Sequence, residues 1–235
     1  MSTIKLKHSG GNSVSLNPPT SAPTSSDVAF KLPNADGSAG QFMKTDGSGN
    51  LSFAAVTDTN DNTFVKLAST TVSSSTAQVD FTNSITGAFD TYKTYAVSIT
   101  GLVPTSDDLT LRARKFDSNG IYTSSEYSTK VVENGSGYGY NGESTFQIIR
   151  QGVGNNSSGS LIYENFNGIF YFFNFEANNR FSMMGNMVHK NSSSETTFTT
   201  MGGTTNATTE TTGIRFFFAS GNIATGIFTL YGIAA

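Results

Sequence analysis

The residues able to do acid–base or metal chemistry in this chain follow no catalytic spacing. His8 and His189 are the two histidines, and neither has Cys, Asp or Glu at metal-ligand spacing around it. Cysteine is absent, so thiolate chemistry and a disulfide framework are excluded. His189 is the one base placed to serve a Ser–His–acid triad, and no serine stands in a nucleophile elbow. Asp58-Thr59-Asn60-Asp61-Asn62 opens like a calcium loop. It lacks glycine at the sixth position and has Ser69 where a bidentate acid is needed. Asp107-Asp108 reads as a solvated loop before a strand. Glycoside hydrolysis would need an acid and a partner carboxylate from the set Glu126, Glu133, Glu143, Glu164, Glu176, Glu195, Glu210, Asp80, Asp90, Asp107, Asp108 and Asp117, and nothing in their spacing marks a pair. The expectation is a protein that is not an enzyme and holds no cofactor or metal.

Recognition is better served than catalysis. Asn134-Gly135-Ser136-Gly137-Tyr138-Gly139-Tyr140-Asn141-Gly142 sets two tyrosines in a glycine frame, where rings can stack on sugars and hydroxyls can hydrogen-bond. Tyr122, Tyr127, Tyr138 and Tyr140 are therefore the candidate receptor contacts. A plain hairpin loop with its tyrosines packed on the domain is the competing reading. Asn156-Ser157-Ser158, Asn191-Ser192-Ser193 and Asn206-Ala207-Thr208 fit a glycosylation sequon and read as polar loops.

The elements that would position these residues are strands. Charged residues are only 13% of the chain, with 19 Phe, 9 Tyr and 24 Gly and no Trp, which suits pleated surfaces joined by turns. From about residue 65, strand-like runs recur between Gly, Asn, Ser and Asp clusters: 65–72, 77–81, 94–102, 108–116, 127–132, 144–150, 160–166, 168–176, 181–188, 194–201, 212–219 and 225–233. Tyr95, Val97 and Ile99 alternate with Ser98 and Thr100, and Leu109, Leu111 and Ala113 with Thr110, Arg112 and Arg114. The run 225–233 is apolar on both faces, which places it centrally or against a neighbouring subunit. The expectation is an all-β fold: an extended N-terminal arm, then an antiparallel jelly-roll-like β-sandwich. Closing three copies around an axis is one way to protect its edges.

Residues 1–53 are the arm, a polar thread of Ser, Gly, Asn, Thr, Pro and Asp that cannot bury enough apolar surface to fold by itself. Beads punctuate it: Ile4, Leu6, Val14, Leu16, Phe30, Leu32, Phe42, Leu51 and Phe53. They are the candidate anchoring residues. Asp36-Gly37-Ser38 and Asp46-Gly47-Ser48 each look like a tight turn followed by an apolar stop. Residues 54–66 read as a linker and 67–235 as the head domain. A net charge of -3 without a basic patch argues against nucleic acid as partner. The longest aromatic runs are too short to cross a bilayer, so no membrane insertion is expected. Met1-Ser2-Thr3-Ile4-Lys5 lacks the apolar stretch of a secretory signal, which points to synthesis and assembly in a cytosol.

Leu32-Pro33-Asn34-Ala35-Asp36-Gly37-Ser38-Ala39-Gly40-Gln41-Phe42-Met43-Lys44-Thr45-Asp46-Gly47-Ser48-Gly49-Asn50-Leu51-Ser52-Phe53 resembles a repeat of tailed-phage virion structural proteins, especially fibre-like proteins of marine phages. The segment 4–16 is similar to an N-terminal attachment segment found with it, and 220–233 to the closing strand pair of small phage β domains. The resemblance implies a homotrimer in the virion, assembled in the host cytoplasm. Its arm would be fixed to other phage virion proteins of the tail or capsid, and its β head would face outward to host surface glycan. It departs from long tail fibres, having no stalk of heptads or β-helix repeats. A short tail fibre or appendage is the leading expectation. The alternatives are a capsid decoration, cement or head-fibre protein and, from another class, a polysaccharide depolymerase.

Overall fold

The computed structural model describes residues 4–17, 19–21, 23, 30–55, 63–83, 89, 91–158, 161–162 and 164–234. The chain divides into two compact units, 1–60 and 61–235. The first unit is not a plain extended thread. It holds two short antiparallel hairpins, β1 (Ile4–Lys7) with β2 (Ser13–Leu16), and β3 (Gln41–Thr45) with β4 (Leu51–Ala55).

The two Asp-Gly-Ser stretches differ. At the second, Asp46 Oδ1 accepts the N–H groups of Ser48 (2.8 Å) and Asn50 (3.1 Å), and Gly47 and Gly49 take positive φ, closing the β3–β4 turn. The Asn50 side-chain amide, which donates to Asp46 Oδ2, and then the Ser48 N–H hold the Asp46 carboxyl below its ordinary range. At the first, the tight turn falls two residues later, at Ser38–Gln41, where the Gln41 N–H donates to the Ser38 carbonyl (3.2 Å) and Gly40 takes positive φ. Gly37 lies under the Phe53 ring, where a Cβ would come within 2.7 Å of ring carbons. The expectation of two equivalent turns is corrected accordingly.

The second unit is all-β. Its strands are β5 (Phe64–Val72), β6 (Gln78–Thr82), β7 (Thr94–Pro104), β8 (Leu111–Asp117), β9 (Gly120–Ile121), β10 (Tyr127–Glu133), β11 (Ser136–Glu143), β12 (Phe146–Gln147), β13 (Ser157–Ser158), β14 (Leu161–Ile162), β15 (Phe166–Phe173), β16 (Ser182–Lys190), β17 (Thr196–Thr205), β18 (Gly213–Phe218) and β19 (Ile223–Ile233). The large sheet runs β11-β10-β17-β16-β15-β7-β19-β5. The small one runs β12-β8-β18-β6, with β9 on β8, and every pairing is antiparallel. Strand thus occupies both ends of the expected linker, Ala54 and Ala55 in β4 and Phe64 to Lys66 in β5. The calcium-like stretch from Asp58 lies outside the described residues.

The period-two pattern drives the packing. Tyr95, Val97 and Ile99 of β7, Phe170 and Phe172 of β15, and Phe228 and Leu230 of β19 are buried on the inner face of the large sheet. Leu111 and Ala113 of β8 and Phe216 of β18 are buried on the small sheet. Phe216 crosses between the layers, its ring centroid 5.7 Å from Phe170, 5.9 Å from Phe228 and 6.2 Å from Phe172. Strand β19, apolar on both faces, sits between β7 and β5.

Candidate functional site

The glycine frame around the candidate tyrosines is a strand, not a loop. Asn134 and Gly135 both take positive φ (47° and 86°), the geometry of a two-residue hairpin turn, and β11 follows directly. Tyr138 stands opposite Val131 and Tyr140 opposite Thr129, so both rings lie on the inward side of the sheet and are half-buried. The Arg150 guanidinium carbon lies 4.3 Å from the Tyr138 ring centroid, a cation–π contact. Burial, then the nearby Glu133 carboxylate, pushes the Tyr140 phenol up from its ordinary value.

Tyr122 and Tyr127 are held elsewhere, around a lysine. Lys115 is fully buried; its ammonium donates to the Thr209 carbonyl (2.7 Å) and hydroxyl (2.8 Å) and lies 5.1 Å from the Tyr122 ring centroid. Burial lowers the Lys115 pKa, against the opposing pull of Asp117 and Glu126. Tyr127 is 0% exposed. Its hydroxyl donates to the Tyr122 carbonyl (2.8 Å) and accepts the Lys115 N–H (3.2 Å), and its ring meets Phe146 edge-on. The expected receptor contact at Tyr127 is therefore corrected: it is a core residue with no free face. Tyr122 has its hydroxyl on Glu126 and one ring face toward Lys115. The four tyrosines do not form one surface.

The carboxylates screened for hydrolysis have a different task. The segment 150–156 crosses one end of the sandwich largely outside any ladder, and its N–H groups need acceptors. Glu133 takes those of Arg150 (2.6 Å) and Gln151 (3.2 Å). Asp108 takes Gly152 (3.2 Å), Asp107 takes Asn155 (3.2 Å) and Glu164 takes Asn156 (2.9 Å). Glu164 is buried; against the burial that raises it, bonds from Ser194 and Asn156 hold its carboxyl below the usual range. His189 joins the same strap through Nε2 and the Gln151 carbonyl (3.1 Å), its Nδ1 without a partner. Burial pushes its pKa down to about 4, so the ring is neutral at pH 7. Among the described residues no group of three His, Asp or Glu side chains could hold a metal ion.

Most of the candidate anchoring residues face water; the Val14 side chain lies outside the described residues. Ile4, Leu6 and Leu16 are about two-thirds exposed, and Phe30 and Leu32 are 65% and 76% exposed. Ile4 stands opposite Leu16 and Leu6 opposite Val14 across the first hairpin. Phe42 and Phe53 are more than a third exposed and Leu51 is half-buried. A cleft of about 630 Å³ in the same unit is lined by Leu32, Pro33, Gln41, Leu51 and Phe53 among others.

The sequence reading missed one surface. On the outer face of the large sheet, Phe64, Met184, Val188, Phe198 and Ile227 are all exposed, and among the described residues they are the exposed large apolar residues of the second unit. The Phe64 ring is edge-on to Tyr231 (5.8 Å) and Tyr171 (6.5 Å), which flank Ala96 in one row across the sheet. Ala96 is fully buried under this aromatic group although it points outward. The two-faced pattern of 225–233 was the sequence signal for it.

No protein-family model, curated protein or solved structure matches this chain.

Proposed function

We propose that this chain is a non-enzymatic virion structural protein of a tailed phage: a short tail fibre or appendage, trimeric, anchored by residues 1–53. Its jelly-roll-like sandwich faces outward and contacts host surface glycan. The observation that carries the reading is the exposure of the anchoring residues. Ile4, Leu6, Leu16, Phe30 and Leu32 form no core of their own, and such side chains gain burial only on another molecule. Two further observations support it. Glu133, Glu164, Asp107 and Asp108 are occupied as acceptors of backbone N–H groups, which leaves them poorly suited to acid catalysis. Tyr138 beside the exposed Arg150 is the remaining aromatic–cationic feature on the hairpin suited to a sugar.

The test is location. An antibody against the sandwich, viewed on intact particles, decorates the tail in a few dozen copies under this reading; hundreds of copies over the shell would assign it to capsid decoration. Full-length Leu6→Asp/Leu32→Asp protein is expected to keep the wild-type melting temperature and be lost from particles. Normal incorporation of that variant would remove the anchoring role. Release of reducing ends from host envelope glycan would overturn the non-enzymatic reading.

A further inference from the structure

We infer that the outer face of the large sheet is where a second copy of this chain packs, in a ring that closes head to tail. The inference rests on the assembly reading above and assigns a surface to it.

The face has the make-up of an interface centre. Its middle rows run Tyr231–Ala96–Tyr171–Met184, Thr229–Ser98–Ile169–Asn186 and Ile227–Thr100 on toward Val188–Phe198, and none carries a charge. Aromatic and methionine enrichment with depletion of charge marks the buried centre of protein interfaces. Among the described residues, the strands place no carboxylate on this face. Its charges are Lys66 on the β5 edge, Lys130 beside the β11 edge and Lys190 at a strand end. Strands about 4.8 Å apart, each about eight residues long at about 3.3 Å per residue, give a footprint on the order of 800 Å². That is about what each partner brings to a stable interface.

One feature favours another copy over an unrelated partner: the face carries both a knob and a hollow, which suit a heterologous contact of the kind that closes into rings. Phe198 stands 58% exposed, while Gly139 and Gly202 flank Lys130 in register with open space where their Cβ atoms would be. Strand glycines that pack against nothing in their own chain are what close approach of another body requires.

The absence of native cysteine allows a clean test on the full-length protein. Thr100→Cys places one thiol on the face, and Ser106→Cys places one on the exposed loop after β7 as a control. Maleimide labelling of each is followed across a dilution series beside sedimentation of the same samples. The expected result is a mass three times that of one chain at high concentration and Thr100→Cys labelling slowed at least tenfold there. On dilution both effects vanish, and Ser106→Cys is unaffected throughout. Phe198→Lys/Ile227→Lys is expected to drop the mass to one third with an unchanged circular dichroism spectrum. Rapid Thr100→Cys labelling in a sample that sediments as an oligomer overturns the assigned face and leaves the assembly reading standing. Protection that persists where the chain sediments as a single copy also overturns it, because another part of the same chain then covers the face. A single-copy mass at every concentration overturns both the face and the trimer, while attachment to the virion remains open to its own location test.

Discussion

Phe53 and Phe216 are both strand phenylalanines in this chain, yet their surroundings share little. Phe53 rests its ring on Gly37, with more than a third of its surface in water. Phe216 lies within about 6 Å of the Phe170, Phe172 and Phe228 rings and is fully buried. The first unit has hairpins without a second layer, so its apolar residues decorate a surface. The second has two sheets facing each other, so the same residue type becomes a core. Hydrogen bonding sets the turn at Asp46 in the first unit. Burial accounts for local shape in the second.

The largest expected effect separates the two units directly. Phe216→Ala should cost about 3–5 kcal/mol of stability, read as a fall in the denaturant midpoint, because it opens a cavity between the sheets. Phe42→Ala should change the same midpoint by less than about 0.5 kcal/mol. Comparable losses would mean that the first unit has a core after all. Next in size is an acid effect confined to the second unit. His189 has a folded pKa of about 4 against an ordinary 6.5, because the buried ring resists charging. Its contribution is complete above pH 6.5 and lost as pH falls toward 4, amounting to about 3 kcal/mol at most by linkage. Glu164, whose folded pKa lies below its ordinary 4.5, adds to the loss only below that pH. Stability measured from pH 7 to 4 should therefore fall in the wild type and flatten in His189→Gln; parallel curves would exclude His189 as the cause. The smallest contrast lies between two glycines that each face a phenylalanine ring at 2.7 Å. Gly203→Ala pushes on the buried Phe146 and should cost about 1–3 kcal/mol. Gly37→Ala pushes on Phe53, which can swing into water, and should cost under about 1 kcal/mol.

The same contrast explains what could be read before the fold was known. The run 94–102 alternates because one face meets the core, the run 225–233 is apolar on both faces as a central strand is, and the strands β7 and β19 lie where those patterns put them. Strand β11 read as a loop because Gly137, Gly139 and Gly142 stand in it among polar residues. The signal was present in Asn134-Gly135 as a turn and in the two-residue spacing of Tyr138 and Tyr140. In the first unit Ile4-Lys5-Leu6-Lys7 and Ser13-Val14-Ser15-Leu16 do alternate, but each run is only four residues long within a stretch of polar composition, so it read as beads on a thread. Tyr127 was misassigned for another reason: sequence does not reveal that a tyrosine hydroxyl will have its donor and acceptor roles both filled, here by the Tyr122 carbonyl and the Lys115 N–H. Nor does it reveal that scattered acids converge on one stretch of backbone, since that stretch is defined only by the missing ladder.

Strand β19 follows all the other described strands in chain order and lies between β5 and β7, the first and third of its unit. During synthesis those two must wait with unsatisfied sides for a segment made more than a hundred residues later. Closing the large sheet therefore joins strands far apart in sequence, which gives the sandwich a high contact order and makes its folding slow for its size. A premature stop before Ile223 would yield not a shortened sandwich but an aggregate.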